Sequence, residues 1–169
     1  KVDADTLFMI ASNTKALTTL LLATLVDQKQ VAWDTPVASI MPGFKLGDDA
    51  TTAQVQLHHL VCACTGLPRK DLDMIFEFAK ETPASQAAAL GKVQPTTGFG
   101  ETVQYSNQLA AVAGYVGAHL VAPKAEYGKG YDQAMTARVF KPLGMASTTF
   151  DMARAARANH AVPHGEDLD

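Results

Sequence analysis

The chain has 169 residues, of which 47% are hydrophobic and 18% charged, and its net charge is −3. This length and composition favour one domain with a hydrophobic core and exclude an intrinsically disordered chain. The acidic balance and the lack of a Lys/Arg cluster argue against a nucleic-acid partner, and no apolar run reaches the ~18 residues that a membrane span needs.

The first predicted helix runs from Ser12 to about Asp27, after an extended lead-in. Its apolar side chains point in nearly every direction around a helix: Leu17, Leu20, Leu21, Leu22, Leu25 and Val26. We therefore expect this helix to be buried. Ser12 and Lys15 share one face at its start. Burial favours the neutral amine of Lys15, the form that can accept a proton from Ser12.

The middle of the chain predicts four more helices, separated by Pro and Gly signals. They are a short helix that has Pro36 at its first position, one over 55–61, one from Asp71 through Phe78, and one that starts near Pro83 and ends before Gly91. Cys62 and Cys64 are two positions apart, which suits a mutual disulfide poorly. We expect two buried free thiols.

The second half predicts a loop over 94–100, helices over 109–121 and 131–140, a second loop over 123–130, and a short strand over 148–150. Helices dominate this prediction, and convincing strands are nearly absent from it. The first of these loops leads into Tyr105-Ser106-Asn107.

Two short motifs carry possible chemistry. Ser12-x-x-Lys15 places a hydroxyl and an amine together, although a helix-capping serine and a solvated lysine would give the same pattern. In Tyr105-Ser106-Asn107 the phenol can relay a proton and the Asn107 amide can donate to and accept from a substrate, although Ser106 or Asn107 could instead cap the next helix. Together, in this order, the two motifs favour catalysis.

On these motifs the sequence resembles the serine β-lactamase-like superfamily, which includes penicillin-binding DD-peptidases, class C β-lactamases and family VIII-type esterases. Ser12-x-x-Lys15 matches its first motif and Tyr105-Ser106-Asn107 its Tyr-x-Asn motif. Linking segments also match: Trp33-Asp34-Thr35-Pro36-Val37, Leu57-His58-His59-Leu60 with Thr65-Gly66-Leu67-Pro68, and Phe140-Lys141-Pro142-Leu143-Gly144-Met145 with Thr148-Thr149-Phe150.

The resemblance implies an α/β fold of the β-lactamase/DD-peptidase type and a set of roles. Ser12 would be the acylated nucleophile and its backbone N–H one oxyanion donor, because it begins a helix. Lys15 or Tyr105 would take the Ser12 proton, and this choice stays open because the two groups would titrate as a coupled pair. Asn107 would contact the substrate. The resemblance also makes a periplasmic or secreted location plausible.

The third motif of the superfamily, Lys-Thr-Gly or His-x-Gly on a sheet strand, has no convincing counterpart after Asn107. Most of the central antiparallel sheet is also missing from the prediction. We therefore expect residues 1–169 to be a single partial domain, mainly α-helical. Its partner would be the remaining C-terminal part of the same polypeptide. Without that part we expect little turnover, since one lost oxyanion donor typically lowers the rate ~10²–10³-fold.

The predicted function is hydrolysis through an acyl-serine intermediate, on small-molecule ester or β-lactam/amide carbonyls. The alternatives are a D-amino-acid peptidase or DD-peptidase, and a non-catalytic penicillin-binding or scaffold fragment. No metal or organic cofactor is implied. Adjacent His58 and His59 point apart on a helix, and Pro163 interrupts the pair His160 and His164, so a metal loop with Glu166 and Asp167 is a minor alternative.

Overall fold

The computed structural model describes residues 1–70 and 81–165, and most of its regular structure is helical. The helices are α1 (Asn13–Asp27), α2 (Val37–Ile40), α3 (Asp49–Gln54), α4 (Leu57–Cys62), α5 (Pro83–Leu90), α6 (Asn107–Val121), α7 (Tyr127–Met135), a π-helical turn (Thr136–Phe140) and α8 (Met152–Arg157). The helix predicted from Asp71 through Phe78 lies outside the described residues. Within the described ranges, no helix is both long and apolar enough to cross a membrane.

Helix α1 packs against α6 in the main core. Leu22 and Leu25 are 0% exposed and join Val112 and Val116 of α6 in one cluster of buried side chains. Gly117 lets the two helices approach, because a Cβ atom at this position would lie 2.9 Å from Leu21 Cδ2. Helix α1, which begins directly after Ser12, is therefore held in place by tight packing against α6.

The prediction that α1 is buried on all sides is wrong. Leu21 and Leu22 are 0% exposed, but Leu20 on the other side of the helix is 40% exposed. The described elements pack against one face of α1 and leave the other open. Consequently Ser12 is exposed and Lys15 is half-buried, so the site lies at the surface rather than inside the core.

The helix predicted over 55–61 begins two residues later, at Leu57, because residues 55 and 56 separate α3 from α4. Val55 and Gln56 are extended, with ψ of 115° and 165°. The Gln56 N–H donates to the ring Nδ1 of His59 at 3.0 Å, which caps the new helix α4. The helical spacing of the apolar residues does not reveal this break, because the spacing carries no information about the contact between Gln56 and the His59 ring.

The C-terminal part differs from its prediction at the start of α7 and over 148–150, and it contains helix α8, which the sequence does not predict. Helix α7 begins earlier, at Tyr127, because the Glu126 carboxylate accepts the N–H groups of Gly128 and Lys129. The predicted strand over 148–150 is not a strand: the Thr148 N–H donates to Met145 O within a turn, and this stretch pairs with no strand in the described ranges.

Two isolated bridges are the only sheet-like pairing among the described residues. In one, the Leu7 N–H donates to Asn159 O and the Ala161 N–H donates to Leu7 O, both at 2.8 Å. The Asn159 amide also donates to Asp3 Oδ1 at 3.0 Å. The extended segment before Ser12 is thus hydrogen-bonded to residues 159–161.

Candidate active site

Ser12 occupies the N-cap position of α1 without capping it. Its backbone is in the helical region, and its hydroxyl makes no cap hydrogen bond. The residue before it, Ala11, has a φ of 42°, in the left-handed region that costs a non-glycine residue free energy. This turn leads the chain from the extended lead-in into the helix. The Ser12 N–H makes no hydrogen bond within the described residues.

The structure brings all four candidate side chains together. Ser12 Oγ lies 2.6 Å from Tyr105 Oη, and either hydroxyl can be the donor. Lys15 Nζ donates to Ser12 Oγ at 3.1 Å and to Asn107 Oδ1 at 2.6 Å. Lys15 Nζ also lies 4.7 Å from the centre of the Tyr105 ring. The amine therefore contacts the hydroxyl, the phenol and the amide.

Ser106, between the two site residues, has the capping role that was the alternative for this motif. Its hydroxyl accepts the Leu109 N–H at 3.1 Å and closes the first turn of α6. Ser106 is buried, whereas Tyr105 is 39% exposed. The cap therefore fixes the backbone from which Tyr105 and Asn107 extend toward α1.

The electrostatic surroundings of Tyr105 make its phenol more acidic. The Lys15 amine beside the ring is the largest cause that lowers the pKa of the phenol below its ordinary value, followed by the hydrogen bond with Ser12. The positive charges of Lys15 and Arg69 act in the same direction, and desolvation opposes them. A phenolate 2.6 Å from Ser12 Oγ can accept the serine proton.

Tyr105 is delivered by a long loop that is tied to the segment after α4. Ala63 O accepts the Gln104 N–H, Cys64 O accepts the Gly100 N–H, and Gly66 O accepts the Thr96 N–H, each at 2.9 Å. The loop before Tyr105 is thus fastened by its backbone at three points.

Cys62 and Cys64, predicted as free thiols, are bonded to each other. Ala63 between them is left-handed, with a φ of 51° and a ψ of 42°, and this turn brings the two Cα atoms to 5.4 Å. That separation is normal for a disulfide. The sequence spacing alone gave the wrong prediction, because it does not reveal the turn.

Gly66 should be essential to this arrangement. It has a φ of +81°, and a Cβ atom would lie 2.4 Å from the Thr97 carbonyl oxygen. We expect Gly66→Ala to lower the free energy of unfolding by more than about 1 kcal/mol, measured by urea denaturation, because the backbone must shift. Gly43→Ala is the control, since a Cβ atom there meets nothing within 4 Å. Equal stability of the two variants would contradict this account.

Sequence reasoning missed Arg69 as a neighbour of the site. Its Cζ atom lies 4.9 Å from the centre of the Tyr105 ring. A single arginine after Gly-Leu-Pro carries no recognisable signal, and the contact depends on the fold. Two of the histidines each contact a backbone carbonyl: His58 Nδ1 lies 3.0 Å from Trp33 O, and His160 Nδ1 lies 2.9 Å from Ala158 O.

Among residues 1–70 and 81–165, no group of three or more His, Cys, Asp or Glu side chains could hold a metal. Glu166 and Asp167, considered above as ligands of a metal loop, lie outside these ranges.

The Beta-lactamase family model matches residues 1–168, so the chain belongs to the Beta-lactamase family. An unguisins hydrolase from Aspergillus campestris is 30% identical over 172 residues, which cover 97% of this chain and 31% of the relative. The chain spans about a third of the length of the curated hydrolases it matches.

Two solved structures have the same fold. The penicillin-binding protein homologue from Pyrococcus abyssi has a TM-score of 0.75 at 21% identity, over 93% of this chain and 36% of its own. The D-amino acid amidase from Ochrobactrum anthropi has a TM-score of 0.65 at 26% identity, over 90% of this chain and 43% of its own. The predicted β-lactamase-like fold class is therefore confirmed, with a mainly helical described part.

Proposed function

We propose that the chain carries the nucleophilic part of a serine hydrolase that works through an acyl-serine intermediate. The observation that carries the proposal is the position of Ser12 Oγ, 2.6 Å from Tyr105 Oη and 3.1 Å from Lys15 Nζ. A hydroxyl within hydrogen-bond reach of a base, with a third group that orients the base, is the arrangement that activates a serine.

In the proposed reaction, Ser12 Oγ attacks a substrate carbonyl carbon and its proton passes to the Tyr105 phenolate. Tyr105 then gives this proton to the leaving amine or alcohol as the carbonyl–leaving-group bond breaks. Water attacks the resulting ester by the reverse route, and Ser12 regains a proton. Lys15 donates to Ser12 Oγ and stabilises the phenolate, and Asn107 holds Lys15 in place. The Ser12 N–H is one donor to the oxyanion.

The alternative proton acceptor is a neutral Lys15. We favour Tyr105, because its contact with Ser12 Oγ is the shorter of the two and its pKa is lowered by the groups around it. Lys15 in turn donates to Asn107 Oδ1, an acceptor that suits the charged ammonium.

The test is covalent labelling of the chain with a fluorophosphonate, followed by intact-mass and peptide mass spectrometry. Attack by Ser12 forms an oxygen–phosphorus bond and releases fluoride. We expect one adduct per chain, located on the peptide that contains Ser12, with Ser39 and Ser147 unlabelled as internal controls. Labelling of all serines alike, or of none, would contradict the proposal.

The labelling rate should depend on pH in a defined direction. Tyr105 accepts a proton only as a phenolate, so the rate should fall as pH drops through the pKa of this phenol. That pKa lies below its ordinary value of about 10, because of Lys15, Ser12 and Arg69. We therefore expect the rate to rise with pH and to level off below pH 10. A rate that is independent of pH between 5 and 10 would rule out this role.

A second candidate is an amidase or peptidase for D-amino-acid substrates. This candidate is favoured by the similarity of the chain, at 26% identity, to the D-amino acid amidase from Ochrobactrum anthropi. Since residues 1–169 alone are expected to turn over little substrate, the substrate classes are distinguished with a longer polypeptide that includes the expected C-terminal part. The panel is D- and L-phenylalanine amide, a p-nitrophenyl ester and a penicillin. Preference for the D-amide supports this candidate, and preference for the ester supports an esterase. A stable penicillin adduct without turnover indicates a binding protein.

A further inference from the structure

Two cations lie over the ring of Tyr105. Lys15 Nζ is 4.7 Å and Arg69 Cζ is 4.9 Å from the ring centre. Both distances are within the range of a cation–π interaction, in which the negative face of an aromatic ring attracts a positive charge. The proposed reaction uses Lys15 but gives no role to Arg69.

Backbone contacts between two segments place Arg69 beside Tyr105, although the Arg69 side chain is exposed. Arg69 follows Gly66 and the buried Leu67, which is 2% exposed and packs in the main core. The Gly66 carbonyl accepts the Thr96 N–H, and the Gln104 side chain donates to the same carbonyl at 3.3 Å. Arg69 and Tyr105 therefore extend from two segments that are bonded directly to each other.

We propose that Arg69 is a positioning residue of the site. Its guanidinium, 4.9 Å from the ring centre, holds the Tyr105 ring against Ser12 and stabilises the negatively charged form of Tyr105. The role of Arg69 in the reaction rests on the proposed function. The contact between Arg69 and Tyr105 is independent of that function. Among the described residues, the charged groups that act on the phenol are Lys15 from α1 and Arg69. Arg69 is charged at every accessible pH, so its effect on Tyr105 is constant.

The lowered pKa of Tyr105 agrees with this geometry, since the charge of Arg69 is one of its causes. The guanidinium also restricts the ring, because stacking on an aromatic face limits rotation of both side chains. Loss of Arg69 should therefore affect both the ionisation of Tyr105 and its alignment with Ser12.

The experiment compares Arg69→Gln, Arg69→Lys and the control Lys70→Gln, which removes one positive charge from the adjacent position. The first readout is an NMR titration of tyrosine labelled with ¹³C at Cζ, with the Tyr105 signal assigned from Tyr105→Phe. The second is the pH dependence of fluorophosphonate labelling. Arg69→Gln should move both midpoints to higher pH and slow labelling at pH 7 by roughly two- to fivefold. Arg69→Lys should retain most of the wild-type titration, and Lys70→Gln should match the wild type.

Unchanged midpoints in Arg69→Gln, or equal displacement in Lys70→Gln, would overturn the assignment. The NMR titration does not require a reactive serine. If the wild type is not labelled at all, the proposed function fails, while the titration still decides whether Arg69 acts on Tyr105. Circular dichroism of each variant excludes a folding defect as the cause.

Discussion

Tyr105→Phe is expected to slow acylation of Ser12 by about 10²–10⁴-fold, the usual contribution of a positioned general base. Phenylalanine keeps the ring over which Lys15 and Arg69 lie, and it removes only the hydroxyl 2.6 Å from Ser12 Oγ. The measurement is the second-order rate constant of fluorophosphonate labelling. The variant also decides between the two proton acceptors, because a neutral Lys15 would still be present and 3.1 Å from Ser12 Oγ.

Two variants complete this comparison. Ser12→Ala removes the attacking hydroxyl and sets the background rate of labelling. Tyr115→Phe removes the same hydroxyl from a tyrosine that stacks on Tyr127, with 5.3 Å between the ring centres, and it should label within about twofold of the wild type. If Tyr105→Phe labels as fast as Tyr115→Phe, Tyr105 is not the base.

Leu22→Ala is expected to lower the free energy of unfolding by about 2–5 kcal/mol, the range for large cavities in a packed core. Leu22 is 0% exposed at the contact of α1 with α6, and a Cβ atom at Gly117 of α6 would lie 3.5 Å from its Cδ2. Its loss leaves a cavity that the tightly packed pair can fill only in part. Urea denaturation measures the change.

Leu20→Ala is the matched control, because it removes the same atoms from the same helix. Leu20 is 40% exposed, so its truncation should lower the free energy of unfolding by less than about 1 kcal/mol. Similar values for Leu20→Ala and Leu22→Ala would show that α1 is not packed on one side as described.

Local signals predicted several elements well. Helix α1 begins at Asn13 and ends at Asp27, as the apolar run indicates, and α5 begins with Thr82 as its cap and Pro83 at its first position. These features are decided by residues next to each other in the chain. The same holds for Ser12 and Lys15, whose spacing puts them on one face of a helix.

Features that depend on contacts between distant segments could not be predicted in this way. The contact between Ser12 and Tyr105 joins residues 93 positions apart, and only the resemblance to a known superfamily brought them together. The burial of α1 on one side depends on the other helices that pack against it, and the sequence of α1 alone does not predict which face they cover. Arg69 illustrates the same limit, since its place over Tyr105 depends on hydrogen bonds between two loops.

The bridge between Leu7 and the segment around His160 has a practical consequence for anyone who shortens this polypeptide. A recombinant boundary placed before Asn159 would remove the acceptor of the Leu7 N–H and release the extended segment that leads to Ser12. Residues 159–161 thus hold the segment around Leu7 in place, and we expect a shortened version of the domain to be better ordered when it retains both segments.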